Sequence, residues 1–186
     1  QRTVKDRAKD VGMTMVDGLR IAVDLGVASM ATMPYNSMDW TSAPSEEALA
    51  EAAQHKAVSY YNIFLGGGNA KLDVLKSYLA EGELVLLALP IYSEFYQVRS
   101  GNAVVDLPRA GSTFYGGHAV VLIGYDDDAR TFKFVNSWGS WWGDQGFGYL
   151  TYDFMQQKAW EAWGLVDQDT TAPDVPSEAY ELSGVP

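Results

Sequence analysis

Gly116-Gly117-His118-Ala119-Val120-Val121-Leu122-Ile123-Gly124-Tyr125, an acidic turn, and then Phe132-Lys133-Phe134-Val135-Asn136-Ser137-Trp138-Gly139-Ser140-Trp141-Trp142-Gly143-Asp144-Gln145-Gly146-Phe147-Gly148-Tyr149-Leu150 set the organisation of the chain. One of only two histidines stands at the mouth of an apolar strand, and Asn136 closes the next strand. Three indoles follow within five residues, Trp138, Trp141 and Trp142. A buried imidazole needs partners for its ring nitrogens, and a side-chain amide at a strand end, roofed by an indole, suits that task. Such a pair is the base and orienter of a nucleophile–base–orienter arrangement. A thiol nucleophile is missing, because the chain has no cysteine.

His118 in Gly-Gly-His-Ala-Val, the run Asn136-Ser137-Trp138-Gly139, and the closing Trp142-Gly143-Asp144-Gln145-Gly146-Phe147-Gly148 resemble the His and Asn signatures of papain-like (C1 family) cysteine peptidases. The motifs occur in the family's order. The resemblance implies that His118 is the base for a cysteine thiolate, that Asn136 orients it, and that Trp138 shields their hydrogen bond. It also implies an α+β, two-lobed fold, with residues 1–43 as the remnant of a helical lobe and residues 44–166 as a mostly antiparallel, β-barrel-like lobe. Residues 167–186, acidic and containing Pro173, Pro176 and Pro186, read as a tail or linker.

The family's cysteine precedes its histidine by about 130–150 residues, which puts the matching cysteine roughly 12–32 residues before Gln1. The glutamine of the family's oxyanion hole would lie further upstream. The chain is therefore expected to begin inside a longer precursor, and to need a Cys-bearing N-terminal segment or companion chain as partner. On the same register Gly12 and Met13 fall where the family has a substrate-binding glycine pair. Gly117 and Trp142, within the His and Trp motifs, join them as residues expected to meet a peptide or protein substrate.

The 186 residues are 47% hydrophobic and 20% charged, enough for a real core. The net charge of −11 argues against nucleic acid and anionic membrane surfaces, which need clustered Lys and Arg. No apolar run approaches the roughly 20 residues of a membrane span. No cofactor or metal is expected. The resemblance alone suggests a secreted or extracellular location.

Apolar residues at Val16, Leu19, Val23 and Val27 predict an amphipathic helix stopped by Gly26. Leu25-Gly26-Val27 and Pro34-Tyr35 resemble the helical-lobe element that follows the family's nucleophile. Ser45 is the expected N-cap of a helix within 42–54, and His55 beyond it reads as a surface histidine. Strands are expected over 58–65, 84–89 (ended by Pro90), 119–125, 131–135, 147–152 and 160–166, with a helix over 71–80. Gly66-Gly67-Gly68 lacks the Lys-Ser/Thr ending of a phosphate loop and reads as a connection into a helix capped by Asn69. Asp126-Asp127-Asp128 lacks the alternating ligands of a calcium loop and reads as a solvated hairpin turn.

Two other readings stay open on the sequence. One is a catalytically inactive papain-like module that binds peptides or partner proteins, with His118 and Asn136 as a satisfied core pair. The other is a structural β module of a surface protein, with the tryptophans as its core. Without its N-terminal segment, the 16–27 helix is expected to expose an apolar face, leaving the chain open to homodimerisation or element exchange.

Overall fold

The computed structural model describes residues 12–36, 39, 41–65 and 72–167. The Gly66–Gly68 connection, Asn69 and the tail beyond Asp167 lie outside the described residues. The described residues divide into two compact units, one of residues 12–60 with 165–167 and one of residues 61–164. The expected boundary near Ala43 falls inside the first unit.

In the first unit, α1 (Met15–Asp24) starts at Thr14, whose side chain accepts the Asp17 N–H at 3.2 Å. It buries Leu19 and Ala22. Leu25 and Gly26 both donate backbone N–H groups to the Ile21 carbonyl, and Gly26 (φ 88°) takes the left-handed conformation that ends the helix. A Cβ there would sit 1.7 Å from the Ala52 carbonyl oxygen, so only glycine fits. That carbonyl ends α2 (Glu46–Ala52), which Ser45 caps by accepting the Ala48 N–H at 3.1 Å.

The second unit is built on a sheet. Among the described residues seven strands, β1 (Ser59–Leu65), β2 (Val85–Tyr92), β3 (Val104–Val105), β4 (Phe114–Asp126), β5 (Thr131–Val135), β6 (Phe147–Thr151) and β7 (Glu161–Val166), lie in the order β1-β7-β2-β4-β5-β6-β3. The β7-β2, β2-β4, β4-β5 and β5-β6 pairs are antiparallel, and β3 is parallel to β6. The sheet is open, not the barrel-like closure expected. Its last strand, β3, offers two residues, both paired to β6, and so ends the sheet instead of bridging to β1.

Helices α3 (Leu72–Ala80) and α4 (Tyr152–Lys158) bury Leu75, Tyr78, Tyr152, Phe154 and Met155 in one cluster with Leu87, Leu89, Leu122, Phe132, Phe134 and Leu150. Each such side chain withdrawn from water contributes about 1.5–3 kcal/mol. The sequence did not announce α4. It follows β6 without a break, and its N-cap, Thr151, accepts the Phe154 N–H at 3.1 Å while still in the strand.

Pro90 does not end β2, as expected from its missing N–H, but pairs with Gly117 inside it. The Ala88 carbonyl points to the β7 side, where it accepts the Trp160 N–H. Pro90 has the same parity, and the β7 ladder stops at Ala88↔Glu161, so its nitrogen faces a stretch where no ladder bond is required.

Candidate active site

His118 lies on β4 with Val120 and Leu122 on the same face of the pleat, and Asn136 follows Phe132 and Phe134 of β5 in the same way. Both sets are directed into the core by the strand's period of two. The ladder's last pair is Val121 with Val135, and Asn136 and Trp138 follow it where β5 gives way to a turn.

His118 Nε2 and Asn136 Oδ1 are 2.9 Å apart. The Ser137 backbone N–H donates to the same Asn136 oxygen at 2.8 Å, which identifies that atom as an acceptor. Nε2 must therefore carry the hydrogen and donate it. Nδ1 holds the lone pair of the neutral ring, and no described residue hydrogen-bonds it. Burial holds the imidazole below its ordinary value of 6.5, while the bond to Asn136 works in the opposite direction. Asn136 is 7% exposed, and its Nδ2 is buried without an acceptor among the described residues.

Phe95, in the 3-10 helix Ser93–Gln97, is the hub beneath the pair. Its ring stacks on Trp142 at 5.0 Å and meets Trp138 and His118 edge-on at 5.4 and 5.8 Å. Trp138 lies 5.2 Å from the imidazole on its outer side. Trp142 is 1% exposed and its indole N–H donates to the Phe95 carbonyl at 3.2 Å, so the ring supports the site from within and has no surface for a substrate. The Trp/Gly turn reaches this packing because Gly143 (φ 62°) leaves room for the Phe147 carbonyl, which would be 2.2 Å from a Cβ.

Glu94, beside Phe95, anchors the loop that leads into β4. Its carboxylate accepts the Arg109 N–H at 3.1 Å and the hydroxyls of Ser112 and Ser93. Burial raises its pKa, but these hydrogen bonds prevail and hold it below the usual carboxylate value. Residue order does not reveal this clamp, because two of its three partners are 15 and 18 residues away and follow no helix or strand period.

Gly117 is exposed beside His118, whereas Gly12 and Met13 are exposed ahead of α1 in the first unit. The acidic turn is held by one contact of its own and by groups from α3 and α4. Asp126 accepts the Ala129 N–H, and Asp127 meets Lys76 and the Tyr152 hydroxyl. Among the described residues no group of three or more His, Asp or Glu could hold a metal ion, and no helix is long and apolar enough to cross a membrane.

An imidazole with a fixed Nε2–H and an open Nδ1 can take a proton from an adjacent acid and return it to a leaving group. The sequence model of the papain family cysteine proteases matches residues 10–161. The chain is 25% identical over 169 residues to an uncharacterized peptidase C1-like protein of Acanthamoeba polyphaga mimivirus, covering 89% of this chain and 54% of that protein. It is 28% identical over 127 residues to cysteine proteinase 2 of Entamoeba histolytica, covering 67% of this chain and 37% of that one. Among solved structures it is similar to xylellain, a cysteine protease from Xylella fastidiosa, with a TM-score of 0.71 and 26% identity over 84% of this chain and 62% of that one. The fold is shared with digestive procathepsin L 3 of Tenebrio molitor, with a TM-score of 0.61 and 21% identity over 83% of this chain and 49% of that one. The chain thus spans 54% and 37% of the length of these two curated relatives.

Proposed function

The chain belongs to the papain family of cysteine proteases, and from that premise we propose that it is the His/Asn-bearing portion of a peptide-hydrolysing enzyme whose cysteine lies on a segment upstream of Gln1 or on a companion chain. The observation that carries the proposal is the shared acceptor at Asn136. By receiving both the Ser137 N–H and the His118 Nε2–H, it fixes the tautomer and leaves Nδ1 open.

Nδ1 takes the thiol proton, and the thiolate attacks the carbonyl carbon of the scissile bond. As the tetrahedral intermediate collapses, the C–N bond breaks and Nδ1–H passes its proton to the leaving amine. The acyl-thioester is then attacked by water, whose proton goes to Nδ1, and the departing sulfur recovers it as the acid leaves. Asn136 holds the ring in register and stabilises the imidazolium in each half-reaction. Trp138 covers the bond between them from water, and Gly117 presents backbone beside the base. Gly12 and Met13 are assigned to substrate backbone in the same reading. A secreted or extracellular location belongs to the proposal too.

The test is to supply the natural upstream segment, fused or mixed with this chain, and follow hydrolysis of a peptide amide. Thiol-dependent hydrolysis that disappears in His118→Ala and when the upstream cysteine becomes serine is expected. Absence of Gln followed by Cys-Gly-x-Cys-Trp from both the upstream segment and any copurifying companion chain, or a complemented protein that hydrolyses nothing, overturns the proposal.

A further inference from the structure

The 3-10 helix beneath the base faces two ways. Inward it carries Phe95, 1% exposed, whose ring meets His118 at 5.8 Å and Trp138 at 5.4 Å. Outward it carries Ser93 and Glu94, which meet the loop that leads into β4. One carboxylate oxygen of Glu94, Oε1, takes both ends of the turn of residues 109–112, through the Arg109 N–H at 3.1 Å and the Ser112 hydroxyl. The turn also closes on itself, with the Ser112 N–H 3.0 Å from the Arg109 carbonyl and Gly111 at φ 90°. Beside it the Ser93 N–H donates to the Thr113 carbonyl at 3.0 Å, and the Thr113 N–H to the Ser93 hydroxyl oxygen at 3.4 Å. That hydroxyl donates in turn to the second Glu94 oxygen at 3.2 Å. A 3-10 helix of five residues has poor hydrogen-bond geometry of its own, and its N-cap, Tyr92, adds no side-chain bond. The loop supplies what the cap does not.

We propose that Glu94 is a positioning residue for the His118 base: by binding residues 109–113 to the helix that carries Phe95, it keeps the imidazole on Asn136, and loosening that loop frees the ring. The assignment deepens the proteolytic reading of His118 and rests on it for its bearing on the reaction. The backbone of His118 is fixed separately, since β4 is laddered to β2 at Leu89↔His118. Its ring still has two torsions, and Asn136, Phe95 and Trp138 limit them. Of these, Phe95 is the one whose element the loop holds. Burial and the bond to Asn136 account for the protonation of the imidazole, so Glu94 reaches it through position and not through its charge.

The test reads hydrogen exchange by NMR on the 186-residue chain. In Glu94→Ala the Arg109 amide should exchange faster, and the His118 Nε2–H about tenfold faster, the scale of one hydrogen bond to a charged group. Glu94→Gln keeps an oxygen for both loop donors and should restore most of the protection. Ser112→Ala removes one loop donor and no part of the helix. It should show the same coupling on a smaller scale, and it decides the matter where Glu94→Ala does not fold. Asp127→Ala, which loosens the turn at the other end of β4, should leave the Nε2–H unmoved. A faster Arg109 amide with an unchanged Nε2–H, no change in either, or an equal response to Asp127→Ala overturns the assignment. So does Glu94→Gln behaving as Glu94→Ala does. Complemented with its cysteine segment, Glu94→Ala should lose about tenfold in kcat with KM little changed, and a loss confined to KM overturns the assignment alone. A parent chain that stays inactive when complemented overturns the proteolytic reading alone, because the exchange rates need no hydrolysis.

Discussion

His118 is half-buried, and that burial makes its protonation a stability question. In the fold the imidazole titrates below 6.5, because burial disfavours its charged form. As pH falls below that value the unfolded chain takes up the proton first. Stability from this group is therefore complete above pH 6.5 and is lost as pH falls through the folded pKa. An NMR titration of the two imidazole signals, assigned with a His55→Ala variant, should place His118 below 6.5. The fall in urea midpoint over that window should be absent in His118→Ala.

Asn136→Asp keeps the acceptor for both Nε2–H and the Ser137 N–H but adds a negative charge, so His118 should titrate higher than in the parent. Asn136→Ala leaves both donors without their acceptor, at a cost of about 1–3 kcal/mol in urea unfolding. Relief of the buried Nδ2, which has no acceptor among the described residues, offsets part of that cost. The hydrogen bond between His118 and Asn136 was legible in the sequence, since His118 lies in one strand and Asn136 follows another, and alternation fixes the direction of each side chain. Glu94 was not. A carboxylate that binds a distant loop through a backbone N–H and one hydroxyl leaves no pattern in residue order.

Helix ends were legible wherever one residue type solves a local problem. Ser45 and Gly26 were read as cap and stop because an orphan N–H needs an acceptor and a left-handed turn needs glycine. Gly26→Ala tests the second. The left-handed backbone alone costs about 1–2 kcal/mol, and the Ala52 carbonyl, 1.7 Å from the new Cβ, must also move. Loss of stability beyond 2 kcal/mol is expected by urea unfolding, and a variant as stable as the parent would show that α2 gives way freely. Elements whose cause lies in a neighbour were not legible. Pro90 looks like a strand breaker in the sequence, and only the end of the β7 ladder shows why β2 continues through it. The two-residue β3 exists through its pairing with β6, and α4 grows directly out of β6, where strand and helix signals overlap.

For the molecule as a whole, motif order identified the family, whereas the open edge of the sheet depended on pairings that no single strand encodes. Net charge is the other whole-chain property available from the sequence, and it has a consequence for substrates. Thirteen basic against twenty-four acidic residues leave a negative field around any approaching peptide. That field reaches about 10 Å at 0.1 M salt and about 3 Å at 1 M, whereas ring contacts act at touching distance and are not screened. A capped glycine–serine peptide extended with two lysines should therefore bind less tightly as salt rises, and the version extended with two aspartates more tightly. The neutral parent peptide should change little. Titrations followed through the tryptophan indole N–H signals by NMR at low and high salt check this. If all three peptides respond alike, the field is not felt at the binding surface, and the excess acidic residues act in solubility rather than in selecting substrates. If the charged pair diverges while the neutral peptide stays unmoved, composition supplies a long-range part of selection that is separable from contact at the binding surface.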